Sequence, residues 1–199
     1  MLEWLPFVGL AMGIAAALPY YRDMFKGTTK PNQITAGLWA FESGIALVAA
    51  WSEGAILTNI PVLSAFLCPM VGFVLALTLK QAQWKLTLFD WLCGAMSVTA
   101  LLAWWATADA NWAIFFAIVA DIMAAIPTIK KSISHPESET RISYAIGGLS
   151  YVLGLFAIKD WSFAEMAYPL YAVFIDTFIA IILYFPRKQR EIIPGTSAL

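Results

Sequence analysis

Residues 18–35 read LPYYRDMFKGTTKPNQIT, and residues 126–143 read IPTIKKSISHPESETRIS. Each stretch interrupts apolar sequence with a proline, a few basic residues and a polar cluster that ends in Thr or Ser. The first prolines of the two stretches, Pro19 and Pro127, lie 108 residues apart. A polar interruption that returns at a distance predicts an internal repeat.

The same offset of 108 residues aligns the two halves of the chain without a gap. Pro61 then meets Pro169, and the dipeptide Lys80-Gln81 meets Lys188-Gln189. Apolar matches carry little weight in so apolar a chain, but paired prolines and a repeated Lys-Gln dipeptide do. We therefore expect four parts: a first three-helix repeat at 1–82, a linker helix at 83–109, a second three-helix repeat at 110–187 and a tail at 188–199.

The composition is that of an integral membrane protein. Hydrophobic residues make up 61% of the chain and charged residues 13%, whereas soluble domains have about 45–50% and about 25%. The net charge of -1 gives no reason to expect nucleic acid as a partner. The expected partners are the lipid bilayer and a small-molecule substrate. Two complete repeats make a monomer sufficient and leave a homodimer open.

Seven stretches are long and apolar enough to cross a bilayer, which takes about 20 residues as a helix. They lie at roughly 4–21, 33–51, 55–79, 86–107, 111–131, 141–158 and 163–186. The third stretch contains Pro61 and Pro69, and the seventh contains Pro169. We expect kinks there, because a proline frees a backbone group that neighbours or water must satisfy.

The basic residues indicate how these segments are oriented. Eleven of the twelve Lys and Arg residues lie in the first, third and fifth connections or after the seventh segment, and only Lys159 lies on the other side. By the positive-inside rule the basic side is cytoplasmic. The N-terminus is then outside and the C-terminus cytoplasmic, with the plasma (inner) membrane as the expected location.

The sequence lacks the usual signatures of an enzyme. One His and two dispersed Cys, Cys68 and Cys93, offer little for a metal or redox site, so we expect no metal and no cofactor. A Gly-rich phosphate loop and a Ser/His/Asp arrangement are also missing from the sequence. The first apolar run follows no basic n-region, so we expect it to stay as a membrane helix.

With its two proline-containing stretches and its 108-residue repeat, the chain resembles the SWEET/PQ-loop superfamily of seven-helix transporters. Tyr20 and Thr128 stand where that family has the Gln of its Pro-Gln pair. The resemblance implies an all-α membrane protein of two parallel three-helix bundles joined by a linker helix, a 3+1+3 plan. It also implies Pro19 and Pro127 as hinges. The branch stays open between sugar facilitators, lysosomal amino-acid exporters and nicotinamide riboside transporters.

The resemblance also places substrate-binding side chains at the middle of helices 2, 3, 6 and 7. The matching positions are Trp39, Glu42, Ser43, Cys68, Ser150, Tyr151 and Asp176. Trp39 lies one turn before Glu42. Two roles are open for it: stacking on a substrate, or packing against neighbouring helices.

Acidic residues inside membrane segments are functional candidates by default, because burying a charge in the bilayer is costly. Glu42 and Asp176 lie near the middle of their segments, and Asp121 lies before Pro127. Desolvated carboxylates suit proton coupling. The alternative is that they form only structural hydrogen bonds. We expect Asp90 to act as a helix N-terminal charge.

The charged residues of the second proline-containing stretch have two possible interpretations. They either form a cytoplasmic gate through ion pairs or belong to a solvated loop, and we expect the loop. The residues concerned are Lys130, Lys131, Glu137, Glu139 and Arg141.

These observations favour an alternating-access transporter of a small polar solute (sugar, amino acid or nucleoside-like), with or without proton coupling through Glu42, Asp121 or Asp176. The alternatives are a seven-helix ligand-binding receptor or sorting protein, and a structural membrane protein without transport. A retinal Schiff base on the seventh segment is excluded, because that segment has no internal lysine.

Overall fold

A computed structural model describes residues 3–105 and 109–185, with the backbone alone at residues 100 and 103–105. This part of the chain forms seven α-helices and no strands, which confirms the prediction of an all-α fold. The helices are α1 (Leu5–Lys26), α2 (Gln33–Ser52), α3 (Val62–Thr78), α4 (Leu88–Trp105), α5 (Ala110–Ser134), α6 (Arg141–Leu155) and α7 (Phe163–Tyr184). Two short 3₁₀ turns cover Lys80–Ala82 and Pro136–Ser138.

Three of these helices are long and apolar enough to cross a membrane, which indicates a membrane protein. They are α2, α5 and α7, and α3 is a shorter apolar helix. The tail at 188–199 lies outside the described residues, as do Arg187, Lys188, Arg190 and the match of Lys188-Gln189 with Lys80-Gln81.

The first and fifth helices are longer than predicted. α1 continues beyond residue 21 to Lys26 and ends at Gly27, whose φ of 74° suits a glycine C-cap. The added turn buries Met24 against Ala76 and Ala82. α5 likewise continues to Ser134 and buries Lys131. In both helices the residues after the proline remain helical, because tertiary contacts stabilise the extra turns.

The third helix is shorter than predicted, because residues 55–61 form turns and α3 begins only at Val62. Pro61 is the N-cap of α3 rather than an internal proline. A proline is tolerated at a helix start, where its missing N–H costs nothing. Asn59 fixes these turns by donating hydrogen bonds to the carbonyls of Ala55 and Ala164, at 3.0 and 3.1 Å.

Helix packing follows the same pairs in both halves of the chain. α1 packs on α3 and α6, and its counterpart α5 packs on α7 and α2. The pairs α2–α3 and α6–α7 also correspond. α4 packs mainly on α5. Near its start, Asp90 accepts hydrogen bonds from the backbone and hydroxyl of Thr87 at 2.6 and 2.8 Å, so Asp90 caps the helix N-terminus as expected.

The end of the bundle that carries the start of α5 is closed by small and apolar side chains. Ala50, Val62, Ala113, Ile114 and Ala164 are buried there in one cluster. We call this the apolar end. Glycines bring the helices close beside it: a Cβ built on Gly9 would lie 2.5 Å from the Ser150 carbonyl oxygen, and one on Gly154 would lie 2.5 Å from that of Thr58.

The close glycine contacts predict that Gly→Ala substitutions at different positions change the stability of the protein in opposite directions. Gly9→Ala and Gly154→Ala should lower the unfolding temperature in detergent, because backbone oxygens block the added methyl and overpacking costs about 1–3 kcal/mol. Gly72→Ala is the control, because the nearest atom to its Cβ would lie at 3.9 Å. This control should be neutral or stabilising, since Ala is favoured over Gly inside a helix by about 0.5–1 kcal/mol. Equal melting shifts for all three variants would contradict the close approach.

Candidate functional site

A cavity of about 160 Å³ lies between α1–α3 and α5–α7. Its wall is rich in aromatic side chains, with Trp39 from α2 and six tyrosines from α1, α6 and α7: Tyr20, Tyr21, Tyr144, Tyr151, Tyr168 and Tyr171. Small residues such as Gly13, Ala16 and Ala36 leave the space between them. Both halves of the chain contribute to this wall, which is what a shared binding site between two units requires.

The predicted site residues divide into two groups. Trp39, Cys68, Tyr151, Asp121 and Asp176 line the cavity. Glu42, Ser43 and Ser150 do not. The hydroxyls of the two serines donate to carbonyls of their own helices, Ser43 to Trp39 at 2.5 Å and Ser150 to Gly147 at 2.6 Å. A serine inside a helix often makes this local bond, so position at mid-helix alone does not place it at a site.

Asp121 is held by two tyrosines of α7. Its Oδ1 accepts a hydrogen bond from Tyr171 at 2.6 Å, and its Oδ2 accepts one from Tyr168 at 3.0 Å. These two donors stand one turn apart on α7, so both reach the same carboxylate. The carboxylate of Asp121 thereby links α5 to α7 and has one hydrogen-bond donor on each oxygen.

Asp176 differs, because its carboxylate accepts no hydrogen bond from any residue that the structure describes. It lies against the backbone of α6, where a Cβ built on Gly147 would be 2.5 Å from Oδ2. The glycine at 147 therefore makes room for the carboxylate. Asp176 is thus the lining carboxylate that has no hydrogen-bond donor among the described residues.

Glu42 is fully buried on α2, and neither of its carboxylate oxygens has a hydrogen-bond partner among the described residues. It interacts electrostatically with Asp121 on α5. Burial of an ionised carboxylate without a partner is costly. The structural hydrogen bond considered for Glu42 is thus missing from the described contacts.

A buried polar network lies beside the end of the cavity near Tyr20 and Tyr144. At its centre Lys131 forms an ion pair with Glu139, with a nitrogen–oxygen distance of 2.5 Å and side chains only 2% and 1% exposed. The expectation of a solvated loop is wrong for these two residues, because the loop folds back over α5 and excludes water from them. Lys130, Glu137 and Arg141 do lie on the surface.

The network joins the first half of the chain to the second. Glu139 accepts hydrogen bonds from Tyr20 of α1 at 3.1 Å and from Tyr144 of α6 at 3.0 Å. Lys131 donates to the carbonyl of Lys30 at 2.6 Å, and the hydroxyls of Thr29 and Thr140 lie 2.6 Å apart. Thr140 in turn donates to Asp23 at 3.1 Å. We call Tyr20, Asp23, Thr29, Lys131, Glu139, Thr140 and Tyr144 the polar network.

Sequence reasoning missed the tyrosines of this region. Tyr20 directly follows Pro19, and its hydroxyl donates to Glu139 within the second proline-containing stretch. Tyr168 and Tyr171 have the i, i+3 spacing of one helix face, a signal that could have paired them with a buried acid. Within the described residues, no three His, Cys, Asp or Glu side chains lie together as a metal site would need.

The ion pair predicts a large loss of stability when one partner is removed. Lys131→Met should destabilise the protein by about 3–5 kcal/mol, because Glu139 is left buried without its countercharge. Lys130→Met is the matched control, because Lys130 is exposed and lies over the Phe89 ring. Unfolding in detergent measures both variants.

The double variant Lys131→Met/Glu139→Gln tests whether the loss of stability comes from the unpaired charge of Glu139 or from altered packing at residue 131. It should recover part of the loss, because no unpaired charge stays buried. A Lys131→Met variant as stable as Lys130→Met would contradict the burial of the pair.

No protein-family model matches this chain, and no curated protein and no solved structure matches it. The resemblance to the SWEET/PQ-loop superfamily rests on the two proline-containing stretches and the repeat.

Proposed function

We propose that the chain is a membrane transporter that moves a small polar solute by alternating access. The observation that carries this proposal is the cavity between α1–α3 and α5–α7, with an aromatic wall and an unpartnered carboxylate at Asp176. The polar network lies beside one end of this cavity, and the apolar end closes the bundle on the other side. A cavity between two chemically different ends suits a solute that enters from one side and leaves on the other.

The proposed architecture is the 3+1+3 plan of the SWEET/PQ-loop superfamily. All seven helices then span the membrane, with repeats at 1–82 and 110–187 and the linker helix at 83–109. The matching helix pairs of the two halves and the sorting of the basic residues support this arrangement. The polar network is then cytoplasmic and the apolar end external.

The two ends differ in what must change when they open. At the polar network, water can replace each hydrogen bond that is lost, so opening exchanges hydrogen bonds within the protein for hydrogen bonds to water. At the apolar end, opening exposes apolar surface to water at about 25 cal/mol per Å². Pro19 and Pro127 interrupt the backbone bonding of α1 and α5 next to the polar network, which makes these helices bendable there.

Proton coupling through Glu42, Asp121 and Asp176 is part of the proposal. Glu42 has no hydrogen-bond partner among the described residues and interacts with Asp121, which lines the cavity. Two interacting carboxylates in a dry site do not readily ionise together. A proton gained when the cavity opens to one side could then be lost on the other.

Solute flux into proteoliposomes tests the transport proposal. Uptake should exceed that of empty liposomes for at least one solute, and Asp176→Asn should reduce it about tenfold or more, equivalent to roughly 1.4 kcal/mol. Glu53→Gln is the matched control, because Glu53 is an exposed carboxylate outside the cavity. Flux at the empty-liposome level across sugars, amino acids, nucleosides and small amines would favour the receptor or structural alternatives instead.

The same proteoliposomes test proton coupling separately. A pH gradient should drive accumulation in the wild type, and Glu42→Gln should abolish this effect because the amide cannot exchange a proton. Facilitated flux that ignores the gradient would contradict the coupling and leave the transport proposal in place.

A further inference from the structure

The wall of the cavity carries ionisable charge of one sign. Asp121 and Asp176 line it, and no Lys, Arg or His is among the lining residues that the structure describes. The nearby buried cation Lys131 is paired with Glu139 and bonded to the Lys30 carbonyl. An anionic solute would therefore meet carboxylates with no cation to offset them.

Five of the six tyrosine hydroxyls of the wall are already engaged within the protein. The hydroxyls of Tyr20 and Tyr144 donate to Glu139, and that of Tyr21 donates to the Cys68 carbonyl at 2.8 Å. The side-chain amide of Asn32, another lining residue, donates to Asp90 at 3.0 Å. Tyr168 and Tyr171 both donate to Asp121. Trp39 Nε1 and the Ser143 hydroxyl have no hydrogen-bond partner among the described residues, so only a few donors are left for a sugar, which needs many donors and acceptors.

The tyrosines consequently offer ring surface to a ligand more than hydroxyl groups. Tyr144 contacts both Tyr20 and Trp39 edge to face, with ring centroids 6.4 and 6.5 Å apart. Aromatic faces attract cations through the ring quadrupole, and Trp gives the strongest attraction. The wall thus combines aromatic rings with a carboxylate, Asp176, that has no hydrogen-bond partner among the described residues.

The volume indicates the size of a ligand that fits inside the cavity. A cavity of about 150 Å³ in another protein holds one benzene molecule, and the present cavity measures about 160 Å³. We propose that it binds a small organic cation of roughly six to eight non-hydrogen atoms, an alkylammonium or quaternary ammonium compound. The charge lies at Asp176 and the apolar part lies against the aromatic rings. As a substrate class, this assignment rests on the proposed transport function, while binding itself does not.

Calorimetric titration of the purified protein in detergent tests the inference with two pairs of probes. Choline and 3,3-dimethylbutan-1-ol share one shape and differ in charge, and pentylammonium and pentan-1-ol form a second such pair. At least one cation should bind about tenfold or more tightly than its neutral counterpart, a difference of roughly 1.4 kcal/mol. Equal affinities within both pairs, or no binding by either cation, would overturn the inference.

Variants locate the site. Asp176→Asn should reduce the affinity for the cation about tenfold or more and leave that for the neutral probe unchanged, because only the charge is removed. Gly147→Ala should also weaken cation binding, because its methyl group displaces the Asp176 carboxylate. Glu53→Gln should bind like the wild type. A folded Asp176→Asn variant with undiminished cation affinity would overturn the assignment, and if that variant does not fold, undiminished affinity in Gly147→Ala would do so.

The binding experiment and the flux experiment can fail independently. Cation binding without flux of any solute would retain the ligand class and reject transport. Flux of a neutral solute, with no binding of either cation, would retain transport and reject the ligand class.

Discussion

The ion pair between Lys131 and Glu139 organises one end of the molecule. Its two side chains are almost fully buried, so each depends on the other and on further hydrogen bonds for its stability. Those further bonds come from Tyr20 and Lys30 in the first half of the chain, and from Tyr144 in the second. A local pair within the second half therefore becomes a connection between the halves, and it fixes the ring positions of Tyr20 and Tyr144 at the cavity.

The same hydrogen bonds determine the chemistry of the cavity. Because Glu139 and Asp121 accept hydrogen bonds from four tyrosines between them, the hydroxyls of those tyrosines are committed within the protein. Asp176 stays without such a partner among the described residues, in the space that Gly147 leaves for it. A polar network that looks structural thus leaves a wall of aromatic rings and one free carboxylate.

Much of the fold follows from the sequence, because apolar segments, prolines and basic loops are local signals. The predicted repeat pairs α1 with α5 through Pro19 and Pro127, and the seven apolar stretches correspond to seven helices in the described part of the chain. The start of α3 could not be predicted from the sequence, because the apolar residues of 55–61 are typical of a helix. Their turns depend on the hydrogen bond from Asn59 to α7, which is a long-range contact. Long-range contacts of this kind leave no local pattern.

The site was only partly predictable for the same reason. Trp39, Asp121 and Asp176 line the cavity, but Ser43 and Ser150 satisfy their hydroxyls within their own helices. The direction of a side chain around its helix depends on which neighbours the helix packs against. The burial of Lys131 and Glu139 depends in turn on how a loop folds back, which composition does not reveal.

Movement of the two halves against each other at the polar network is the central claim, and a reversible cross-link tests it most directly. Thr29 and Thr140 approach within 2.6 Å through their hydroxyls and come from different halves. In a Cys68→Ser/Cys93→Ser background that retains flux, the pair Thr29→Cys/Thr140→Cys is oxidised in proteoliposomes. Flux is expected to be lost on oxidation and to return on reduction, and the Thr29→Cys variant alone should be unaffected. Full flux through completely cross-linked protein would contradict it.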